Sequence, residues 1–334
     1  MRKRTCRSDA AAGVGASRRR RTRGAPDGGG RARPKGRALP PTLYGQGEEG
    51  AAALSRPSAL LAQAGVRPTK SRGQNFLTQP AIADRIVAAA DLKPDDEVIE
   101  IGPGLGFLSD RILQHSIRRL CLIELDSRLA LQLKERLREA SNLEIVEADV
   151  LEIDLAASIQ RPPVKIVGNL PFNVAAAILR KLSDYRQLIS RMVLMFQREV
   201  ADRIRAQVGD PDYAALSVYT ALDWEIKRHF RVDSGSFHPR PKVDAEVLTF
   251  VPRADQLYVV HERQRVLDTI RAGFSSPRKM IRNNLSAALK LTAAQVQAAL
   301  DSATIDPRAR AEALSAFDFV RLARSLERAP DAQS

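Results

Sequence analysis

Between residues 80 and 200, short apolar runs alternate with segments whose apolar residues recur at helical spacing. Strands that alternate with helices form right-handed crossovers, so this pattern predicts a doubly wound, mostly parallel α/β domain. The β-branched runs predict strands over 97–101, 120–123, 143–146, 164–167 and 192–196. The periodic segments predict helices over 80–90, 107–114, 127–140 and 175–182. A late strand over 245–251 is expected to close one edge of the sheet.

The pattern changes after Pro252, where helical spacing continues and no convincing strand follows. Ile270 belongs to one apolar stripe and Leu285 to a second, while Ser315 and Asp318 have the spacing of a capping box that opens a last helix. These features predict a small all-α C-terminal domain. The predicted organisation is an extension over 1–65, an α/β domain over 66–252, a helical domain over 253–328 and a tail over 329–334.

The first fifty residues are rich in Arg, Gly, Ala and Pro and include a run of four arginines at 18–21. Such a segment has too little apolar surface to offset the entropy of ordering, so we expect it to be disordered. Three interpretations stay open: an RNA-binding arm, an organelle transit peptide, or a segment without a specific role, which is either an accessory tail or the result of a start codon placed too far upstream.

Composition removes several classes of protein. The chain has 334 residues, of which 44% are hydrophobic and 28% charged, as in ordinary globular proteins. No apolar run approaches the roughly 18 residues of a membrane helix. Two cysteines, Cys6 and Cys121, exclude a disulfide scaffold or a cysteine-rich metal site and favour a reducing compartment. The histidines lack ligand spacing, so we expect no metal site. The reducing compartment favoured by the cysteine count leads us to expect a cytoplasmic location.

Charge points to a polyanionic partner. The net charge is +14, which favours nucleic acid. Residues 1–50 contain 13 Lys and Arg against four Asp and Glu, so the remainder of the chain is only mildly basic. Within that remainder, residues 262–290 contain seven basic and two acidic side chains. The helical domain is therefore the expected nucleic-acid-binding part of the folded region.

A glycine-rich turn follows the first strand and contains Gly102, Gly104 and Gly106. Glycines at such a turn let the backbone approach a ligand closely. The third glycine comes one residue too early for a dinucleotide fingerprint, and Pro103 lacks an N–H that a diphosphate would use. The turn is therefore expected to hold an uncharged or zwitterionic tail.

Acidic residues follow the next two strands. Glu124 ends the second strand and is placed to accept hydrogen bonds from ribose hydroxyls. Asp149 follows the third strand and is placed to accept from an adenine amine, whereas Asp126 is interpreted as a helix cap. Each acid alone is unremarkable, but in register with the glycine turn they predict a pocket for S-adenosylmethionine.

The fourth strand ends in Asn169-Leu170-Pro171-Phe172. The exocyclic amine of adenine is a poor nucleophile because its lone pair is delocalised into the ring. The Asn169 amide oxygen and the Leu170 carbonyl could each accept one of its N–H groups and turn the lone pair toward a methyl donor. Pro171 would stiffen the turn, and Phe172 would stack on an extruded base. The alternative is a plain Asn-x-Pro helix cap.

Two further segments indicate RNA. An aromatic, Phe237, lies on a proline-rich loop with Arg240 and Lys242, and could stack on the other face of the base. A second segment has basic side chains that could contact phosphates or simply form a solvated helix face. These side chains are Arg278, Lys279 and Arg282.

Five motifs occur in order along roughly residues 66–325, and they are Gly73-Gln74-Asn75-Phe76-Leu77, Glu100-Ile101-Gly102-Pro103-Gly104, Ile123-Glu124-Leu125-Asp126, Asn169-Leu170-Pro171-Phe172 and Phe237-His238-Pro239-Arg240-Pro241-Lys242-Val243. Together they resemble the ribosomal RNA adenine N6,N6-dimethyltransferases, with the bacterial small-subunit enzymes (the kasugamycin-resistance methyltransferases) as the most similar branch. The resemblance implies a Rossmann-like methyltransferase domain and a helical C-terminal domain. It implies two methyl groups on each of two adjacent adenines in the terminal hairpin of 16S rRNA, with the assembling 30S particle as partner.

The resemblance also assigns roles. Asn75 and Leu77 would close over the cofactor, and Gly102, beside Gly104, would line its methionine part. Glu124 would hold the ribose, Asp149 the adenine amine, and Asn169 would lie between cofactor and target. The family usually has tyrosine where this chain has Phe172, which keeps the stacking face and loses a hydroxyl.

Two alternatives remain at this stage. One is a 23S rRNA adenine methyltransferase of the macrolide-resistance type, against which the basic segment at 278–285 argues because it resembles the small-subunit branch. The other is a non-catalytic nucleic-acid binder such as a transcription factor, which would have no need of Glu124, Asp149 and Asn169. A monomer is expected, because no apolar stripe is left over after the two cores are built.

Overall fold

The computed structural model describes residues 74–327 together with Leu61 and Gly65. The predictions for the remaining extension and for the C-terminal tail fall outside these residues. Nine strands and ten α-helices are formed by the described residues. The strands are β1 (Phe76–Leu77), β2 (Glu97–Ile101), β3 (Arg119–Glu124), β4 (Leu143–Glu147), β5 (Val164–Asn169), β6 (Ile189–Gln197), β7 (Trp224–Val232), β8 (Phe237–His238) and β9 (Ala245–Pro252). The helices are α1 (Pro80–Ala90), α2 (Phe107–Leu113), α3 (Ser127–Arg136), α4 (Ala175–Asp184), α5 (Arg198–Arg205), α6 (Ala215–Asp223), α7 (Arg263–Gly273), α8 (Ile281–Leu289), α9 (Ala293–Ser302) and α10 (Ala316–Glu327).

Seven strands form one sheet in the order β4-β3-β2-β5-β6-β9-β7. The first five are mutually parallel, and β9 runs antiparallel to β6 and β7. Apolar side chains cover both faces, because neighbours along β2 such as Val98 and Ile99 belong to two different core clusters. This arrangement confirms the predicted doubly wound, mostly parallel α/β fold.

One prediction about the sheet was wrong. Strand β9 was expected at the sheet edge, but β7 pairs with its free side and takes that place. The sequence of β7 is dominated by polar and charged residues, so it lacks the apolar run by which the other strands were identified. An edge strand has only one paired neighbour and can expose polar side chains, which explains why its hydrophobic signal is weak.

The C-terminal helices bury their own apolar cluster, which includes Val266, Ile270 and Leu285. Val218 and Leu222 of α6 also belong to this cluster, although they precede the predicted domain boundary at 252. The predicted capping box is present: the Asp318 carboxylate accepts from the Ser315 backbone N–H at 2.9 Å, and Ser315 Oγ accepts from the Asp318 N–H at 3.2 Å. The domain boundaries themselves stay a prediction.

Candidate active site

The turn after β2 approaches an aromatic ring closely. Gly102 and Gly104 have φ of +65° and +57°, the left-handed region that favours glycine. A Cβ built on Gly104 would lie 3.0 Å from two ring atoms of Phe76. The glycine therefore lets residues just before α1 lie directly over the turn, and this contact forms one wall of a cavity.

Glu124 lines the same cavity at the carboxyl end of β3. Its Oε2 accepts from the Gly104 N–H at 2.9 Å, and its Oε1 accepts from the Asp126 N–H at 2.9 Å. Burial raises the pKa of this carboxyl, and the two backbone N–H groups partly offset that effect. Asp126 is the helix cap that the sequence predicts, since its carboxylate accepts from the Arg128 N–H at the start of α3.

Glu100 is a cavity residue that was not among the predicted site residues. It lines the same cavity as Glu124, is 1% exposed, and accepts a 2.7 Å hydrogen bond from Ser109 Oγ. Burial raises the pKa of Glu100 to about 8, with Asp110 and Glu124 adding to that rise. The signal was present in the sequence as an acid between the apolar residues Ile99 and Ile101 of a buried strand.

We expect Glu100→Gln to change how stability depends on pH. Because the pKa of Glu100 is raised from 4.5 to about 8 in the folded chain, its stabilising effect is present below pH 4.5 and is lost as pH rises to 8. Glutamine mimics the protonated acid, so the free energy of unfolding of the variant should not fall in this way. Relative to that of the wild type, it should rise by at most about 4 kcal/mol between pH 5 and pH 8. Urea denaturation at both pH values measures this. Parallel pH profiles for the two proteins would contradict it.

Asn169 lies at the end of β5 and is held by residues from the beginning of the described region. Its Nδ2 donates to the Asn75 carbonyl at 3.0 Å. Because the amide nitrogen is committed there, Oδ1 is left as the acceptor that can face a substrate amine. The sequence suggested both residues, but only the fold shows that the first contacts the second.

A small two-stranded sheet brings the N-terminal motif to this place. In the β1–β8 pair, Leu77 lies opposite Phe237, and Thr78 donates from its backbone N–H to the Ser236 carbonyl at 2.9 Å. The pairing joins segments that are about 160 residues apart in the chain. The two motifs are thereby fixed over the carboxyl ends of the parallel strands, where α/β folds bind ligands.

One cavity brings together most of the predicted cofactor and catalytic residues. Asn75, Leu77, Gly102, Gly104, Glu124, Asn169, Leu170 and Pro171 all line it. Asp149 does not line it, and its Oδ1 accepts from the Leu151 N–H at 2.8 Å, which stabilises the turn after β4. Its predicted contact with an adenine amine stays a prediction.

The two aromatic residues predicted to stack on a base contact each other. The rings of Phe172 and Phe237 lie edge to face, with centroids 6.2 Å apart and an interplanar angle of 69°. Phe172 is partly exposed, whereas Phe237 is 4% exposed and packs in the core beneath it. Of the two rings, only that of Phe172 has appreciable exposed surface, and the stacking of either ring on a base stays a prediction.

The basic side chains predicted to contact RNA lie outside the cavity and are exposed, unlike Phe237. Arg240 donates from Nε to Ser234 Oγ at 3.0 Å, and Lys242 follows on the same loop. Arg278 and Lys279 belong to the turn before α8, and Arg282 to its first turn. Buried Asn284 fixes this turn by donating to the Gly273 and Ser276 carbonyls at 2.6 and 3.0 Å.

Within the described part of the chain, no cluster of His, Cys, Asp or Glu could hold a metal ion. In the same residues, no helix has the length and apolar character to cross a membrane.

Comparison with known proteins places these features in a family. A family model described as "Ribosomal RNA adenine dimethylase" matches residues 66–328. "Ribosomal RNA small subunit methyltransferase A" of Syntrophotalea carbinolica is 42% identical over 261 residues, which cover 78% of this chain and 97% of that protein. The protein of the same name from Geobacter metallireducens is 40% identical over 266 residues, covering 78% and 96%.

Two solved structures are similar in fold. A dimethyladenosine transferase from Plasmodium falciparum matches with a TM-score of 0.61 and 26% identity, over 74% of this chain and 95% of that one. The 23S rRNA methyltransferase ErmE matches with a TM-score of 0.57 and 28% identity, over 76% and 100%. Both confirm the sheet and helical architecture that the sequence predicts.

Proposed function

Because the chain belongs to the ribosomal RNA adenine dimethylase family, we propose that it dimethylates the N6 amines of two adjacent adenines in the 3′-terminal hairpin of 16S rRNA. The methyl donor is S-adenosylmethionine, and the chain acts in biogenesis of the small subunit. The observation that carries this proposal is the amide of Asn169, anchored through Nδ2 on the Asn75 carbonyl at the rim of the Glu124 cavity. The anchor leaves an oriented acceptor where a base amine would enter.

The residues around the cavity fit an adenosine that carries an amino-acid tail. Glu124 is a buried acceptor that could hold ribose hydroxyls. The turn at Gly102 and Gly104 leaves room that a Cβ would fill, beside the ring of Phe76. Asn75 and Leu77 cover the cavity, and Asp149 at the next strand end is proposed to contact the adenine amine. When bound, S-adenosylmethionine supplies an electrophilic methyl group.

The chain's own contribution is to prepare the amine. The Asn169 amide oxygen and the Leu170 carbonyl each accept one N–H of the target, which draws the lone pair out of conjugation with the ring. Pro171 fixes the carbonyl's direction through its restricted φ. Proton loss from the methylated nitrogen needs no strong base, because an N-methylated adeninium is acidic and can release its proton to solvent. Positioning is therefore the main catalytic device.

We expect Phe172 to contribute stacking on the extruded base. Stacking on an aromatic ring is worth about 1–3 kcal/mol per base. Phe172→Leu, which keeps an apolar side chain over Phe237, should lower kcat/KM for RNA roughly tenfold, whereas Phe172→Tyr should retain it. Steady-state methyl transfer at varied RNA concentration measures this. The matched control is Phe317→Leu on α10, where the side chain is 52% exposed and far in sequence from the site. Equal kcat/KM in Phe172→Leu and the wild type would contradict the stacking role.

The exposed basic residues are proposed to contact the RNA backbone. Arg240 and Lys242 lie on the loop that follows β8, next to the cavity's cover. Arg278, Lys279 and Arg282 project from the helical domain, where positive charge favours phosphate. A cytoplasmic monomer that acts on the assembling 30S particle is the proposed working form.

Methyl transfer to isolated subunits tests the proposal. Purified protein would be incubated with tritiated S-adenosylmethionine and small subunits from a strain that lacks this modification, with large subunits and duplex DNA alongside. We expect label in the small subunit alone. Label in the large subunit would favour a 23S rRNA methyltransferase, in line with the structural match to ErmE. Tight RNA binding without any label would favour a non-catalytic binder.

A further inference from the structure

The outer edge of the seven-stranded sheet is basic. Strand β7 is paired on one side with β9 and on the other side with no strand of the described sheet. Strand β7 exposes four basic side chains, those of Lys227, Arg228, His229 and Arg231. Three of them carry a positive charge at neutral pH, and the one exposed acid of the same strand, Glu225, lies two residues before Lys227. No described function uses this edge.

A buried carboxylate underlies the edge on one face of the sheet. Glu246 of β9 is 0% exposed, and Arg205 Nη2 lies 3.3 Å from its Oε2. Arg228 Nη1 and Arg231 Nε lie 3.8 and 3.6 Å from its Oε1, an atom with no hydrogen-bond partner in the described chain. These two arginines are attracted by Glu246 without being hydrogen-bonded to it. Each is about half exposed, so its guanidinium keeps donors available to a ligand.

The other face of the edge adds positive charge. Arg85 of α1 lies over the ring of Phe230, 3.7 Å from its centroid. Burial lowers the pKa of His229, and the nearby charges of Lys227 and Arg191 lower it further. The positive charges around His229 therefore disfavour a protonated imidazole, and the same charges attract an anion. Positive side chains thus flank the strand on both faces.

The basic edge leads to the active-site end of the sheet. Val232 at the end of β7 lies opposite Ala245, which lies opposite Gln197 at the carboxyl end of β6. The chain then passes through the short helix Ser234–Ser236, on which Arg240 is hydrogen-bonded, into β8 beneath Phe172. From Lys227 to Arg231 the strand spans roughly 10–13 Å. That length faces several consecutive phosphates of a nucleic-acid strand.

We propose that Lys227, Arg228 and Arg231 form an additional RNA-backbone contact, which binds phosphates of the substrate RNA outside the nucleotides that enter the cavity. The inference rests on the proposed function, because it assumes an RNA substrate. Charge on an edge strand also prevents pairing with another strand, and a bulge such as the one at His229 has the same effect. That protective role predicts no effect on RNA affinity, so a binding measurement separates the two.

The test compares two double variants with equal loss of charge. In Lys227→Gln/Arg228→Gln, Arg205 and Arg231 remain beside Glu246. The control, Lys134→Gln/Arg138→Gln, removes two exposed basic side chains at or just after α3, next to the opposite edge strand β4. Binding of the full chain to small subunits that lack the modification would be titrated between 50 and 200 mM salt, with thermal unfolding recorded for both variants.

The edge variant should bind about tenfold more weakly, and its plot of log affinity against log salt should be less steep by about 2, one per lost phosphate contact. The control should match the wild type. Equal slopes for wild type and edge variant would overturn the inference. So would self-association of the wild type that the edge variant alone loses, because the edge would then serve a protein contact. Methyl transfer by the wild type, assayed in the same preparation, reports separately on the proposed function.

Discussion

Asn169→Ala is expected to lower kcat for methyl transfer roughly a hundred- to thousand-fold, as loss of a single positioned hydrogen-bonding group does at other active sites. The reason is that Oδ1 is the acceptor left over once Nδ2 has donated to the Asn75 carbonyl at 3.0 Å. Without it the target amine keeps its lone pair in the ring. Steady-state transfer with saturating cofactor and RNA measures kcat, and single-turnover transfer measures the chemical step separately.

Asn142→Ala is the matched control for this prediction. Asn142 also donates from Nδ2 to a backbone carbonyl, that of Ile117 at 3.1 Å, but it precedes β4 at the opposite end of the sheet. It should reduce stability modestly and leave kcat near that of the wild type. A similar fall in kcat for both variants would mean that Asn169 acts through folding. An unchanged kcat in Asn169→Ala would remove it from the mechanism.

Glu124→Gln is expected to weaken S-adenosylmethionine binding about 10- to 100-fold. The carboxylate accepts from two backbone N–H groups, those of Gly104 and Asp126. Glutamine can satisfy only one of them and turns an N–H toward the other or toward the ribose. A hydrogen bond to a charged group is worth about 1.5–3 kcal/mol, which corresponds to that loss of affinity. Isothermal titration with the cofactor provides the dissociation constant.

Glu147→Gln controls for the change of charge. Glu147 lies directly opposite Glu124 in the β3–β4 pair, at the end of the neighbouring strand, but it is exposed. Its variant should bind the cofactor with an affinity close to that of the wild type. If Glu124→Gln bound as tightly as the control, the proposed ribose contact would be wrong, whatever the effect on turnover.

The parallel strands could be predicted because each is a short buried run. Strands such as β2 and β5 are buried almost throughout, and each contains a short run of β-branched residues that distinguishes it from the helices between them. For the elements that were predicted, the errors lie at the ends. Helix α3 was expected to continue to 140 and stops at Arg136, where the last residues before β4 form a turn.

Helix α5 and strand β7, which lie between residues 198 and 232, were not predicted because their hydrophobic patterns are weak. Helix α5 has only Ala201 and Ile204 buried along its length, so charged residues dominate its sequence. Strand β7 exposes most of its side chains, and a bulge at His229 interrupts the alternation that would have revealed it. Both depend on tertiary contacts that a local pattern does not contain.

The site likewise contains residues that a local sequence pattern identifies and contacts that only the fold creates. Glu124 and Asn169 could be identified because they end strands next to a glycine turn, and strand ends converge in a parallel sheet. The contact between Asn75 and Asn169, and the packing of Phe172 on Phe237, arise from the β1–β8 pairing of distant segments. Glu100 was overlooked as a site residue because the sequence does not show which groups surround a buried acid in a strand. In the fold these groups include Ser109 and Glu124.

The central claim is that the chain dimethylates adenine at N6, and nucleoside analysis of the product tests it most directly. Small subunits that lack the modification would be treated with the wild-type chain and unlabelled S-adenosylmethionine. Their RNA would then be digested and the terminal hairpin fragment analysed by mass spectrometry. The account predicts two adjacent N6,N6-dimethyladenosines in that fragment. Unmodified adenines there, or methyl groups at any other position, would contradict it.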